Sequence, residues 1–570
     1  MKYTILILTV LLTITIFSQE VKKDSIGTEE VNIVKPYTPK IKDAFKVKKN
    51  PVQGNDAIQE KKTVEYSISS APVASTFVAS KGKAKGVARK KKEHIYDNYV
   101  SVGFGNFTTP KVEAFVHSST TRDNDFGVLL NFLSSSDIKD SRVDSDFMDA
   151  KIDLYYKKSS RDFDWKVNGG YHLQKYNWYG INAPIISNAQ LTALDPKQTY
   201  GNINLGGNLT YYESFFKGIN LDVNIFNDNY SSSEIHFLAK PTFEIPISSE
   251  LIKTDFRLEF LSGKFDRNYT IDNELKYGYF NIGASPTFKV IRDYLTIDLG
   301  VNLVYSGATE DNQESKFFIY PNINATYELI TDVMIIYAGF TGDLHQHSYK
   351  SFTDENPFVS PTLNIGRTSE KFNAKFGAKG KLASNISYNV NASYKNEEAK
   401  ALFKLNNDLN ELGPQENYQF ANSFSVVYDD INTLGVFGEI TIDFSKELNF
   451  GGNVQFNSYD KDLQDKAWNL PSIQATVFAK YNVQKWHAGA NLFFVGERKD
   501  EFISTFGTTQ TEITNKSYVD LNLNFGYNFT DRLTAFANAN NVLDSDYQKY
   551  TGFEVQGIQF LAGIKYKFDF

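Results

Sequence analysis

The stretch from residue 557 to residue 570 reads GIQFLAGIKYKFDF, and it alternates apolar and polar side chains up to the last position. One set of alternate positions holds Ile558, Phe560, Ala562, Ile564, Tyr566, Phe568 and Phe570. The other set holds Gly557, Gln559, Leu561, Gly563, Lys565, Lys567 and Asp569, of which only Leu561 is a large apolar residue. Because successive side chains of a strand point to opposite faces, this period predicts a strand with one apolar and one polar face.

The same period returns along most of the chain after residue 95. Clear examples lie at residues 295–305, 386–395, 434–444 and 519–529, where apolar positions alternate with Asn, Gly, Thr, Ser and charged residues. A soluble β-sandwich would bury such apolar faces against each other, whereas a membrane barrel turns them to lipid. Short connections also alternate with long ones. We therefore predict an all-β protein, a transmembrane antiparallel up-and-down β-barrel of about 22 strands.

The start of the chain has the features of an export signal. Lys2 precedes an apolar run from residue 4 to residue 17, and Ser18 is a small residue near the expected cleavage point. The run is shorter than the ~20 residues that a membrane-spanning helix needs, so a cleaved signal peptide is favoured over a membrane anchor. We expect a signal peptide at 1–18, a basic extended periplasmic or lumenal arm at 19–95, and the barrel at 96–570.

Two further stretches carry a family resemblance. Residues 537–547, ANANNVLDSDY, resemble the penultimate strand and loop of TonB-dependent receptors, and the end marked by Tyr566, Phe568 and Phe570 resembles their closing strand. Residues 351–361, SFTDENPFVSP, are similar to TonB-dependent-receptor-like outer-membrane barrels of Bacteroidota. The resemblance covers the barrel portion only, because residues 19–95 do not resemble the globular plug domain of that family. It implies localisation in the cell outer membrane and transport or reception of a ligand.

The segment at 19–95 is basic, although the whole chain has a formal net charge of −7. Its densest positive part consists of Lys81, Lys83, Lys85, Arg89, Lys90, Lys91 and Lys92, interleaved with Gly and Ala. Three interpretations remain open. The segment is a solvated periplasmic linker, or it enters the acidic barrel and partly occludes the lumen, or it contacts anionic headgroups or another anionic partner.

A short extended stretch near the start of this arm resembles a TonB box. It consists of Glu30, Val31, Asn32, Ile33 and Val34, directly after Glu29. The physical requirement is an exposed strand that can pair with an edge of the energy-coupling protein. A plain linker that happens to be extended is the alternative.

Other candidate sites give weak signals. His345 and His347 lie near Asp343 in a predicted outer loop, but with no third nitrogen ligand nearby we interpret them as surface histidines rather than a metal site. The aromatic residues Tyr176, Trp178, Tyr179 and Trp468, with Asn469 beside the last, suit interfacial anchors better than a surface for sugars or partner proteins. No catalytic, cofactor or metal motif is present, so we expect a protein that is not an enzyme.

The leading hypothesis is thus transport or reception of an unknown ligand across the outer membrane. The alternatives are a plug-less scaffold or assembly component of an outer-membrane complex, and a passive, porin-like pore. The expected partners are outer-membrane lipids and the barrel assembly machinery, with TonB or a lipoprotein as candidates and no nucleic acid. Because about 22 strands enclose a wide channel, we expect occlusion by the arm, by a partner, or by inward-folded loops such as 341–363.

Overall fold

The protein is described by a computed structural model that covers residues 94–121, 123–136, 141–181, 191–192, 194–247, 250–310, 314–409, 415–503 and 510–570. Within these ranges, 22 strands form one sheet. They are β1 (Asn98–Gly105), β2 (Thr109–Thr121), β3 (Asn124–Ser135), β4 (Phe147–Ser159), β5 (Phe163–Asn177), β6 (Lys197–Tyr211), β7 (Phe216–Asp228), β8 (Ser233–Ile247), β9 (Glu250–Phe265), β10 (Leu275–Arg292), β11 (Leu295–Ala308), β12 (Lys316–Ile330), β13 (Met334–Gln346), β14 (Arg367–Ala383), β15 (Ile386–Leu405), β16 (Phe424–Asp443), β17 (Leu448–Lys461), β18 (Ile473–Asn482), β19 (Trp486–Val495), β22 (Tyr518–Asn528), β23 (Leu533–Asn540) and β26 (Gln559–Phe568).

Three smaller elements lie in the connections. The hairpin of β20 (Arg498–Ile503) and β21 (Gln510–Asn515) follows β19, and the hairpin of β24 (Gln548–Tyr550) and β25 (Phe553–Glu554) precedes the last strand. A short helix, α1 (Tyr349–Glu355), lies between β13 and β14. None of the helices in the described ranges is long and apolar enough to cross a membrane.

The sheet closes on itself. Each barrel strand pairs antiparallel with the next one along the chain, and β1 also pairs with β26, from Asn98 opposite Phe568 to Gly105 opposite Leu561. The residues at 424–443 form one strand, β16, that pairs with β15 and β17. Thus the prediction of an all-β, up-and-down barrel with about 22 strands is confirmed.

The two faces of the wall differ as the period of two predicts. Large apolar side chains such as Ile319, Phe376 and Phe560 lie on the outer face and are about 60% exposed, at 66%, 63% and 59%. The inner face carries ladders of Asn side chains, for example Asn202 to Asn224 at 3.1 Å and Asn322 to Asn302 at 3.3 Å. The barrel therefore has an apolar exterior and a hydrogen-bonded polar lumen.

The wall is uneven in height. Strands near the closing seam are short, with 8 residues in β1 and β23 and 10 in β26, whereas β15 and β16 on the tall side have 20 each. A tilted strand of about 9–11 residues already spans a bilayer core, so the tall strands continue beyond it. Their extra length lies toward the end of the barrel that carries the long connections, which we call the long-loop end. The other end, which carries residue 94 and Phe570, is the terminus end.

Candidate functional site

The long-loop end of the barrel is closed by its own connections. We use the term mouth cap for residues 347–366, which join β13 to β14, together with the described parts of the connections at 178–196, 406–423, 496–517 and 541–558 that pack on or beside them. Twenty of their residues and of the adjoining strand ends form one buried hydrophobic cluster. The side chains of a buried cluster must be covered from all sides. The cap therefore reaches across the mouth from one wall of the barrel to the other.

Local sequence explains why α1 forms inside this connection. The Ser348 side chain accepts a hydrogen bond from the Ser351 backbone at 3.0 Å, and the Ser351 hydroxyl accepts one from the Ser348 backbone at 2.9 Å. This reciprocal capping satisfies two backbone donors that a helix start would otherwise leave unpaired. The helix ends before Asn356 and Pro357, and it buries Tyr349, Phe352 and Thr353.

Two carboxylates, the buried Glu234 and the half-buried Asp228, attach α1 to the wall of β7 and β8. Glu234 is 3% exposed and accepts hydrogen bonds from the backbone of Tyr349 at 2.6 Å and of Lys350 at 3.2 Å. The Tyr277 hydroxyl donates to the same carboxylate at 2.8 Å. Asp228 accepts a bond from the Tyr349 hydroxyl at 2.8 Å. Hydrogen bonds to a buried charge are among the stronger ones, so these carboxylates are the main polar anchor of the cap.

Aromatic stacking joins the cap to the connection before the last strand. The rings of Phe358 and Phe553 are stacked with centroids 3.7 Å apart, and Tyr179 meets both rings edge-on. The backbone of Phe424, at the start of β16, donates to the carbonyl of Phe358 at 3.0 Å. The Tyr200 hydroxyl of β6 also donates to the Pro357 carbonyl at 2.8 Å, so the segment after α1 is held both by the wall near Glu234 and by β16 and β25.

The hairpin of β20 and β21 adds a second set of buried polar contacts. Asp500 is fully buried and accepts hydrogen bonds from the Leu405 backbone at 3.0 Å, from Asn469 at 3.0 Å and from the Thr551 hydroxyl at 2.7 Å. Burial raises the pKa of Asp500, and the hydrogen bonds oppose that shift. One carboxylate therefore ties three connections together, which makes this side of the cap a single packed unit.

The histidines predicted for an outer loop have different environments. His345 is half-exposed, 3.8 Å from Glu370. His347 is half-buried, bonded to the Thr368 hydroxyl at 2.8 Å and stacked on Phe352 at 4.9 Å. His345 is thus exposed as predicted, whereas His347 is partly covered by its neighbours. No group of three or more potential metal ligands occurs in the part of the chain that the structure describes.

The aromatic residues of the outer loops are not interfacial anchors. Trp178 is 1% exposed and packs edge-on against Tyr230 and Tyr418, inside the cap. Trp468 is 3% exposed and packs with Leu402 and Ile431. The anchor prediction was wrong for these two residues because a connection that folds inward buries its aromatic side chains. In contrast, the expected inward fold of loop 341–363 is observed, since α1 lies within it.

Other candidate residues are not brought into this site. The aromatic residues of the end of the chain lie on the closing strand, where Tyr566 stacks on Phe568 at 6.2 Å and Phe568 meets Phe570 edge-on at 5.6 Å. The stretch resembling a TonB box (30–34) and the basic cluster (81–92) lie outside the described residues.

Sequence reasoning missed a polar recess in the inner wall of the tall side. Its volume is about 540 Å³, and it is lined by side chains of β13 to β17. It contains five side-chain amides, which are those of Asn373, Asn389, Asn391, Gln455 and Asn457. The only signal in the sequence was Phe437, an aromatic residue between Gly435 and Glu439 in the set of alternate positions that is polar over residues 433–443.

Comparisons with known proteins give a match by structure alone, since neither the family models nor the curated proteins gave one. FpvA of P. aeruginosa, solved with heterologous pyoverdines, superposes with a TM-score of 0.62 at 14% identity over 84% of this chain and 72% of FpvA. The FrpB iron transporter of Neisseria meningitidis gives 0.62 at 10% identity over 84% and 82%. The ferric enterobactin receptor PfeA of Pseudomonas aeruginosa gives 0.61 at 12% identity over 83% and 80%. At such identities the likeness establishes the fold, and the chain has the barrel fold of TonB-dependent receptors.

Proposed function

We propose that this protein is an outer-membrane barrel of the TonB-dependent-receptor type that transports or receives a ligand, with the mouth cap as its gate. Its apolar exterior and polar lumen support a position in a membrane. The similar structures, which include an iron transporter and receptors for ferripyoverdine and ferric enterobactin, support transport over catalysis. The proposed partners are outer-membrane lipids, the barrel assembly machinery, and either TonB or a lipoprotein. Membership of the Bacteroidota group and a cleaved signal at 1–18 belong to the same proposal.

The observation that carries this proposal is the closure of the mouth by the chain itself. A barrel of 22 strands is wide enough to leave an aqueous channel, which would breach the membrane as a barrier. Here the cap residues Tyr349, Phe352 and Phe358 are at most 9% exposed. A barrel with a polar lumen and a closed mouth suits regulated passage better than a passive pore.

For the basic arm at 19–95 we propose the linker role. The inner wall has a recess lined by Lys111, Lys565 and Lys567, with Glu113 as its one carboxylate. Because this recess has an excess of positive charge, it would repel Lys81 to Lys92 rather than bind them. His94, at the end of the arm, lies at the terminus end of the barrel, 2.5 Å from Asp569. The proposed contact for TonB is the stretch at 30–34.

Single-channel conductance in planar bilayers tests the gate. The key variant replaces residues 349–364 with a four-residue Gly/Asn turn. Gln346 and Arg367 are direct partners across β13 and β14, so a short turn can join the two strands without a change of register. We expect the mature protein to be silent and the variant to conduct.

A second variant that lacks residues 19–92 separates the arm from the cap. The cap proposal requires this variant to stay silent. If loss of the arm alone produces conductance, the arm and not the cap is the barrier, and the lumen-occluding interpretation of the basic cluster replaces the linker role. If the unmodified protein already shows a large conductance, the passive pore is the remaining interpretation of its function.

The alternative function is a plug-less scaffold of an outer-membrane complex. The dense packing of the cap favours it, because Phe358 and Phe553 are as buried as residues of a permanent protein core. Silence of all three proteins, including the variant without α1, would support this alternative over transport.

A further inference from the structure

The polar recess in the inner wall of the tall side has no role in the proposed gate. It lies on the inner wall, and on β16 Gly435 stands between two of its lining residues, Thr433 and Phe437. A Cβ at this position would come within 2.7 Å of the Ser393 hydroxyl and within 3.2 Å of polar atoms of Asn457 and Gln455. Three polar side chains thus converge over a residue that has none, so the recess is a shaped depression rather than a flat piece of wall.

The hydrogen-bonding groups of the recess are not all used within the protein. The Asn373 amide oxygen and the Thr433 hydroxyl are buried and have no partner among the described residues. Such groups cost free energy unless a ligand or water pairs with them. Each side-chain amide offers donors and an acceptor on one plane, which matches the neighbouring hydroxyls of a sugar ring. Tyr337 and Phe437 add aromatic rings against which an apolar sugar face can pack.

The charge of the recess is positive. Three lysines, Lys375, Lys395 and Lys400, line it with a single carboxylate, that of Glu397. Lys400 pairs with Glu397 at 2.7 Å, and Lys395 lies 3.8 Å from Glu397 and 3.5 Å from Glu370. Lys375 has no ion pair within the part of the chain that the structure describes. A ligand that carries a carboxylate would therefore find an unneutralised ammonium group on β14.

We propose that this recess is a binding site for an acidic oligosaccharide, a chain of hydroxylated rings with carboxylate groups. Amides and hydroxyls of β14 to β17 bind the hydroxyl groups, and Lys375 binds a carboxylate. The site deepens the proposed function, since it names a ligand class for the transport barrel. It also stands on its own, because binding to the inner wall does not require passage.

Titration calorimetry of the purified mature protein in detergent tests the site, with a trimer of galacturonic acid as the acidic probe and maltotriose as the neutral one. We expect the acidic trimer to bind, and Lys375→Met to weaken its binding about tenfold, since hydrogen bonds to charged groups have roughly this strength. Lys375→Met removes an exposed charge and leaves the fold intact. The matched control is Lys480→Met, which removes a charge from the inner face of β18 outside the recess, and it should bind like the parent.

A second variant, Gly435→Leu, places a large apolar side chain among Ser393, Gln455 and Asn457 of the recess and should abolish binding of the acidic trimer. Heat-modifiable migration in gels checks that each variant still forms the barrel. Undetectable binding of the acidic trimer at millimolar concentration overturns the proposal, as does equal binding by the folded Gly435→Leu protein. Equal affinity for maltotriose, with no effect of Lys375→Met, overturns the acidic class. The two experiments can fail separately. If the recess variants lose binding as expected but the variant without residues 349–364 never conducts, the binding site stands and the transport function is rejected.

Discussion

Replacement of Phe358 by Ala should loosen the mouth cap without a change in its backbone contacts. The Phe358 ring is 9% exposed and stacks on Phe553 with centroids 3.7 Å apart, whereas its carbonyl binds the Phe424 backbone. Truncation of a buried Phe to Ala costs about 3 to 5 kcal/mol. If the closed cap alone loses this stabilisation, the ratio of open to closed cap rises by about a hundredfold to several thousandfold.

Single-channel recording is the assay for this change. We expect the parent protein to be silent and Phe358→Ala to show brief openings whose frequency grows with temperature. The control is Phe376→Ala, which removes an aromatic ring that is 63% exposed on the outer face of β14 and should leave the channel closed. A Phe358→Ala protein that folds, melts at a lower temperature and never opens would refute the gate, because loss of cap packing would then not expose the lumen.

Three further predictions concern the cap and the arm. Glu234→Gln should weaken the attachment of α1 by about 2 kcal/mol, because an amide accepts fewer and weaker hydrogen bonds than a carboxylate. The frequency of opening should then rise roughly thirtyfold in the same recordings, and an unchanged frequency would contradict the anchor role of Glu234. Burial lowers the pKa of His347 to about 4, and His345 and Lys400 add to the shift. The ring is therefore neutral in the closed cap, and the closed cap loses up to about 3 kcal/mol of stability as pH falls from about 6.5 to about 4. The difference in opening frequency between the parent and His347→Gln should grow over that pH interval, and a pH-independent difference would reject the role of His347. Burial raises the pKa of Glu355, which gives the opposite trend, but Glu355 is present in both proteins and its effect cancels in this comparison. For the stretch at 30–34, a peptide of residues 26–38 should bind the periplasmic domain of TonB, and Ile33→Pro should abolish binding through loss of a strand hydrogen bond, while equal binding of both peptides would count against strand pairing.

Sequence alone was sufficient for the barrel because its information is local. The alternation around Ile564 and Lys565 fixes which face is apolar, and the same rule applied along the chain predicts strand number and the two kinds of connection. A period of two survives any change in distant contacts, so these predictions did not depend on tertiary structure.

The cap could be anticipated only as a need for occlusion. Its contacts join residues far apart in the chain, such as Glu234 with Tyr349 and Phe358 with Phe553. In the sequence, Trp178 is an aromatic residue of a predicted outer loop, which is typical of an interfacial anchor. Only its contact with Tyr418 shows that it is a core residue. The recess has the same origin, because its amides lie on neighbouring strands whose register determines that they meet. Phe437 was an exception to the alternation, and such exceptions are where the sequence indicates a site.

The positions of the gate and the recess have a mechanical consequence. The cap segment continues directly from β13 into β14, and the same two strands supply Tyr337, Asn373 and Lys375 to the recess. Lys400, which lines the recess, adds to the lowering of the His347 pKa that burial causes and opposes the rise that burial causes in the Glu355 pKa. An anion that binds Lys400 would compete with Glu397 for it and would remove positive charge from beneath His347. Since that charge helps to lower the pKa of His347 in the closed cap, a bound anion should raise this pKa and reduce the stability that the cap loses in acid. Ligand and proton would then act on the gate in opposite directions, so that a loaded lumen makes the closed cap more resistant to acid.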